Sequence, residues 1–321
     1  MAVSTQHDVK PPRPVVAGLG LVVLDEQMFV QAHPAVDAKV FADGCRMQVG
    51  GPAPTALAQL QRFGVGTKVL GAWATDAAGR AIEDGLSAAG ISFDATSCRT
   101  ANATGAAHVW VESTTGRRTV VSYPPDGRPE PSSAAEFARS ARLLHLDGWG
   151  GDAAIAAAEA TRSQGGVITF DSGSVKPSTE RLLRLANVVN APLRFLNDFC
   201  GTRDPEAGAK TLLGLGPRLV TVTDGEQGAG VYTQDVARWQ PAFQVRPVDT
   251  CGAGDVFCGG LIFSVLAGYE PEATLLFAMA TATLKISRPG NREALAGYDE
   301  VVSFLESRRM GQANERRPSS V

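Results

Sequence analysis

The stretch Asp249-Thr250-Cys251-Gly252-Ala253-Gly254-Asp255-Val256-Phe257-Cys258-Gly259-Gly260-Leu261 gathers more chemistry than any other part of the chain. Gly252 and Gly254 allow a tight turn and a close approach of backbone to ligand. The apolar run Val256–Ala267 then reads as a helix that Gly268 ends. A helix start bared by small residues offers amide N–H groups with no partner inside the helix, which suits an anion. Asp255 sits in the first turn. A carboxylate beside a phosphate-binding helix start points to phosphoryl transfer, with the acid handling the acceptor's proton. The plainer alternative is a dipole partner in an ordinary glycine turn, so the surrounding elements have to decide.

A second glycine-marked helix start supports the chemical alternative. Val49-Gly50-Gly51-Pro52-Ala53-Pro54-Thr55 precedes a helix whose positions 57, 60 and 63 share an apolar face, and Gly64 closes it. Gly18-x-Gly20 follows an apolar run, but Val23 stands where a dinucleotide motif needs its third glycine, and no helix follows; that motif is rejected. The run from Pro14 to Gly20, continued by Leu21–Leu24, predicts a buried first strand with Asp25 at its exit, where open α/β sheets place ligand groups. Strands then alternate with helices. Strands are predicted over 67–72, 143–146, 167–170, 188–189, 218–223, 230–233 and 243–245. Helices are predicted over 77–89 (capped by Asp76), 152–164, 179–185, 192–200, 205–213, 271–286 and 298–306. This alternation predicts an α/β fold with a parallel sheet covered on both faces. Two patches of hairpin character, within about 27–49 and 106–122, interrupt it and predict a small sheet apart from the main one. Such a lid would keep water out of a phosphoryl transfer.

Composition bounds the remaining classes. The chain has 321 residues, 30 Lys plus Arg against 33 Asp plus Glu, and a formal net charge of −3, so no general basic field draws nucleic acid. Its 5 cysteines are dispersed without a CxxC pair, and its 4 histidines lack metal-ligand spacing. Free thiols and a cytoplasmic location are expected. No apolar run has the length of a membrane span. Residues 1–13 read as a flexible tail and 307–321 as a disordered one, leaving one domain over 14–306.

With both glycine-marked helix starts in place, Gly50-Gly51 and Asp249-Thr250-x-Gly252-Ala253-Gly254-Asp255, the chain resembles the ribokinase (PfkB) family of carbohydrate kinases. The resemblance implies a three-layer α/β/α sandwich with a mostly parallel central sheet and a small β-sheet lid. It implies that Asp255 is the catalytic base for a sugar hydroxyl, and that the amides of Gly252, Ala253 and Gly254 form an anion hole. It places Asp25, Gly50, Gly51 and Thr55 at the sugar, and Asn190, Thr223, Gly225 and Gly228 at the nucleotide. It offers Asp249, Thr250 and Gly290 as a site for a monovalent cation such as K+. ATP with Mg2+ is the implied donor, a small sugar the acceptor, and a homodimer through the lid the implied assembly.

Two positions depart from the family pattern. Thr55 stands where the family has an Asn that contacts the sugar, and Leu193 replaces the Glu of its N-x-x-E motif, so either another acid helps to order the metal or the donor metal is held more loosely. A helix start would also be expected to lower the pKa of Asp255 and weaken it as a base. Within the family, stretches such as Val121-Ser122-Tyr123-Pro124 and Ser287-Arg288-Pro289-Gly290 resemble a subgroup that phosphorylates ketoses or sulfosugars, with Lys39 at the place of a lid lysine. Ser122 and Gly148, however, stand where that subgroup has an Asn and an Arg. The alternatives are a sulfofructose or nucleoside kinase of the same fold, and a non-catalytic sugar sensor that retained it.

Overall fold

The structure, a computed structural model, describes residues 16–290 and 292–315. The expected N-terminal tail, the first two residues of the expected first strand and the last six residues of the chain lie outside them. Among the described residues, the strands in chain order are β1 (Val16–Leu19), β2 (Val23–Val30), β3 (Gly44–Gly50), β4 (Thr67–Leu70), β5 (Ala106–Glu112), β6 (Arg118–Tyr123), β7 (Leu143–Leu146), β8 (Val167–Asp171), β9 (Val188–Pro192), β10 (Leu219–Thr223), β11 (Ala229–Tyr232) and β12 (Ala237–Gln240). The helices are α1 (Pro52–Arg62), α2 (Ala77–Ala88), α3 (Ala95–Cys98), α4 (Pro131–Arg139), α5 (Asp152–Ser163), α6 (Thr179–Leu185), α7 (Leu193–Cys200), α8 (Pro205–Leu213), α9 (Ala253–Leu266), α10 (Pro271–Ile286) and α11 (Tyr298–Glu315).

Two sheets form. The larger has the order β12-β11-β10-β9-β8-β7-β1-β4, parallel from β10 to β4 and antiparallel at β11 and β12. Its central strands are buried along almost their whole length because helices cover both faces. Helices α1, α9 and α10 pack on one another on one side, and α4 to α8 pack in neighbouring pairs on the other. The chain leaves β1 for β4 on one flank and returns to β7 on the other. The crevice outside the carboxyl ends of β1 and β7 is therefore the switch point where open α/β sheets bind ligands. The smaller sheet, β3-β2-β5-β6, is the expected lid.

Several expectations change in detail. The first strand ends at Leu19, and the apolar residues after it belong to β2, so Asp25 lies on a lid strand rather than at the exit of β1. A run of apolar residues carries no mark of a break when both of its halves are buried. Phe243–Val245 is not a strand: Pro241 and Pro247 lack N–H donors, and Phe243 instead packs on Phe304 with ring centroids 5.2 Å apart. The outermost strand is Ala237–Gln240. Helix α11 runs on to Glu315 through residues expected to be disordered. Helix α4 opens with Pro131 at a position where a missing N–H costs nothing, and so emerges from a proline-rich stretch that reads as loop. Asp76 caps α2 as expected, accepting from the Gly79 N–H.

Candidate active site

Four carboxylates come together over the switch point. Asp147 follows β7 and Asp171 ends β8, both at the carboxyl edge of the central sheet. Asp255 enters from the first turn of α9. Asp25 hangs from the lid strand β2. Two of them perturb the others: the Asp255 charge acts on both Asp25 and Asp171, and that of Asp147 on Asp171.

Glycines make the room. A Cβ at Gly20 would lie 2.1 Å from the Asp147 carboxylate, and one at Gly50 would lie 2.1 Å from that of Asp25. Thus the Gly18-x-Gly20 pair, which fails as a dinucleotide motif, has a spatial purpose at its second glycine. Gly51 caps α1 at φ 104°, and a Cβ there would meet the Leu21 carbonyl. Thr55 is buried in the first turn of α1.

Burial raises every member of the cluster. It pushes Asp25 to about 7, helped by Asp255 and opposed by the Arg292 guanidinium. Asp171 also rises to about 7 through burial and the Asp255 charge, against a hydrogen bond from Asn190. Asp147 reaches about 6, less because backbone N–H groups of Trp149 and Leu21 donate to it. Asp255 is raised by burial too, offset by the charges of Arg118 and Lys285. The helix start therefore does not set the basicity of Asp255, contrary to expectation; desolvation outweighs it. Asp25 is buried and accepts no hydrogen bond among the described residues, so its carboxylate is left without a partner.

At the start of α9, Gly252 adopts the left-handed region at φ 72°. The amides of Gly252 and Gly254 have no backbone acceptor among the described residues, and the space around Gly254 is open. The Ala253 N–H, by contrast, turns back to the Thr250 carbonyl at 3.3 Å. Asn190, on β9, donates to Asp171 at 3.0 Å and accepts from the Thr221 hydroxyl at 3.0 Å. Thr223 ends β10, and Gly225 and Gly228 shape the turn after it. Only glycine fits at Gly228, where φ is 117° and a Cβ would lie 2.1 Å from the Gln240 carbonyl oxygen. Leu193 opens α7, and Asp171 is the acid nearest to the missing glutamate's role because it shares a hydrogen bond with Asn190.

Asp249, Thr250 and Gly290 also meet. The Asp249 carboxylate accepts from the Gly290 N–H at 3.2 Å, from Gln27 at 2.9 Å and from the Cys251 N–H at 2.8 Å. However, Lys285 Nζ donates to the Asp249 carbonyl at 2.9 Å, and Arg118 Nη1 to the Thr250 carbonyl at 3.2 Å. The Asp249 and Thr250 carbonyls offered for a monovalent cation each already face a cationic side chain, so these two do not fit K+. Lys39 stands apart: it lies in the exposed connection between β2 and β3, 5.3 Å from the Phe41 ring centre. Cys251 packs among Val23, Ala107, Val109 and Val111, and burial pushes its thiol up to about 12, which suits packing rather than nucleophilic chemistry.

The sequence alone singled out neither Asp147 nor Asp171, nor Arg118, Lys285 and Arg292. For the two acids a signal existed, since each directly ends an apolar strand run. The three cations carry no local mark, because only the fold brings them to the cleft.

The sequence model of the pfkB family carbohydrate kinases matches residues 16–296. An ATP-dependent ribose-1-phosphate kinase of Halopiger xanaduensis is 28% identical over 91% of this chain and 98% of its own. Ribokinase of Bacillus subtilis is 33% identical over 32% of this chain and 34% of its own. Among solved structures, Arabidopsis thaliana ribokinase complexed with ribose and ATP superposes with a TM-score of 0.77 at 21% identity, covering 91% of this chain and 99% of that one.

Proposed function

Because the chain belongs to the pfkB family of carbohydrate kinases, and so phosphorylates a sugar with ATP as donor, we propose that the transfer takes place in the cleft between the lid sheet and the carboxyl edge of the central sheet, with Asp255 as general base. The observation that carries this is the pairing of Asp255, at an open helix start, with the unpartnered carboxylate of Asp25 across the cleft. Asp25 accepts one sugar hydroxyl and fixes the ring, with Gly50, Gly51 and Thr55 lining the same side. The reacting hydroxyl gives its proton to Asp255 as its oxygen bonds to the γ-phosphorus and the bond to the ADP oxygen breaks. The free amides of Gly252 and Gly254 receive the charge on the transferring group. Thr223, Gly225 and Gly228 border the nucleotide.

Among the described residues no group of three or more His, Cys, Asp or Glu is arranged to hold a metal ion, so the magnesium is expected to come with the nucleotide. When bound, it neutralises charge on the phosphates. Asn190 and Asp171, joined by a hydrogen bond, would orient its water shell.

A second proposal concerns the acceptor. One Arg292 nitrogen, Nη2, is buried without a partner among the described residues, and the guanidinium acts on Asp25. A sugar that already bears a phosphate or sulfonate would satisfy it. The exposed Val120, Val121 and Tyr123 on β6, an edge strand, would let two lids pair into a dimer; light scattering in solution tests this. Among the described residues no helix is long and apolar enough to cross a membrane, and free cysteines suit a cytoplasmic setting.

The deciding experiment is an ADP-release screen over ketoses, pentoses, nucleosides, sugar acids, sulfosugars and sugar phosphates, with Asp255→Asn as control. Release with at least one acceptor that vanishes in the variant is the expected result. ATP binding without release for any acceptor would favour the sensor alternative.

A further inference from the structure

We propose that the Lys285 ammonium is a built-in cation that holds the catalytic loop and makes turnover independent of potassium. The proposal rests on the kinase reading above. Lys285 lies in the last turn of α10, and its side chain is fully buried, with 0% of its surface exposed. A lysine is rarely removed from water so completely unless its charge is matched. Here it donates to the Asp249 carbonyl at 2.9 Å and stands 3.6 Å from the Asp249 carboxylate.

Asp249 is where the loop into α9 is anchored. The Val248 and Asp249 N–H groups bond the Ile286 carbonyl at 2.7 and 3.2 Å, tying the loop to the end of α10. The Asp249 carboxylate collects Gln27 of the lid strand, Gly290 and Cys251. One ammonium thus balances a carboxylate that joins lid, loop and the α10 end. The next carbonyl, Thr250, is taken by Arg118 from β6. A monovalent cation such as K+ must replace its water with several oxygens at once, and the Asp249 and Thr250 carbonyls already face fixed cations. A tethered ammonium has the size and charge of such an ion but cannot dissociate.

The test compares wild type and Lys285→Ala in KCl and in choline chloride at equal ionic strength, reading both turnover and Tm. Wild type should turn over at rates within about twofold in the two salts, with the same Tm. Lys285→Ala should lose at least about tenfold in kcat in choline chloride. KCl, but neither choline nor lithium, should restore part of that loss and raise the variant's Tm. Lys285→Met, which fills the space with an apolar chain, should lose activity and gain nothing from KCl. Several-fold activation of wild type by KCl, or a Lys285→Ala protein whose Tm responds alike to potassium and choline, overturns the proposal. Should Lys285→Ala fail to fold, the wild-type comparison decides alone. Absence of turnover in every salt would count against the kinase reading, while the Tm comparison still decides the role of Lys285.

Discussion

In the proposed role of base, Asp255 is poised by two opposing forces at its carboxylate. Burial raises its pKa, and Arg118 and Lys285 hold part of the rise back. Asp255→Asn should lower kcat by roughly 10²–10⁴-fold while ATP affinity, measured by calorimetry, stays within a few fold; a variant with near-normal turnover would remove Asp255 from the role of base. The neighbours set where the acid limb of the pH–rate profile falls. Asp171→Asn deletes a negative charge beside Asp255, so the limb should move to lower pH, whatever happens to the maximal rate.

Asp25 provides a test of stability with a definite sign. Its pKa rises from 3.8 to about 7 in the folded chain. Folding therefore favours the protonated acid. The cost of ionising it is absent below about pH 4 and grows until the pH passes the folded value near 7. Asp25→Asn should accordingly stabilise the fold in urea unfolding at pH 8, by on the order of a few kcal/mol at most, with a much smaller gain at pH 4. The same variant should lose about 10–100-fold in kcat/KM, the scale of one charge-assisted hydrogen bond to the sugar. The two glycine-marked helix starts were legible in the sequence because glycine just before an apolar periodic run marks a helix end. Lys285 and Arg292 were not, since the buried charge that gives each its meaning lies on a distant element.

At the scale of the element, α9 presents Asp255 to the cleft because it lies unusually close to its neighbours. A Cβ on Gly259 would approach the Ala56 carbonyl of α1 to 3.0 Å, and one on Gly260 would approach the Ala278 Cα of α10 to 2.9 Å. Neither neighbour is a side-chain tip that can swing away. Gly260→Val should therefore destabilise the protein by about 1–3 kcal/mol in urea unfolding. It should also reduce kcat, because a shift of α9 displaces Asp255; normal kcat in a destabilised variant would separate packing from positioning. The sequence marks Gly259 and Gly260 as part of an apolar helix without saying which face needs them. It likewise places the lid strands correctly as strands but starts β2 too late, since Gln27 looks like the first residue with alternation while Val23–Asp25 look like the tail of β1. Alternating patterns identify a strand's type more firmly than its ends.

For the whole molecule, the decisive feature is how the lid is fastened. The hairpin turn between β5 and β6 is pinned to the loop that leads into α9: the Gly116 carbonyl accepts from both the N–H and the hydroxyl of Thr250, at 3.2 and 2.7 Å, and Arg118 holds the Thr250 carbonyl. Arg118→Ala removes one of these ties and a positive charge near Asp255. Its acid limb should move to higher pH, opposite in sign to that of Asp171→Asn.

At the same end of the lid, where Val30 of β2 lies opposite Glu112 of β5, the neighbouring connection has no comparable fastening among the described residues. The connection from β2 to β3 is exposed, with Val36 92% and Phe41 83% accessible. The lid is in effect a flap sewn down at one corner and loose at the next. In hydrogen exchange, the Thr250 amide should be among the slowest in the lid region, and those of residues 35–42 among the fastest. Segments that exchange freely can be lengthened, shortened or rewritten without disturbing what is sewn down. The 31–43 connection is therefore the place where a new acceptor preference could be grafted onto this kinase while its phosphate chemistry is left intact.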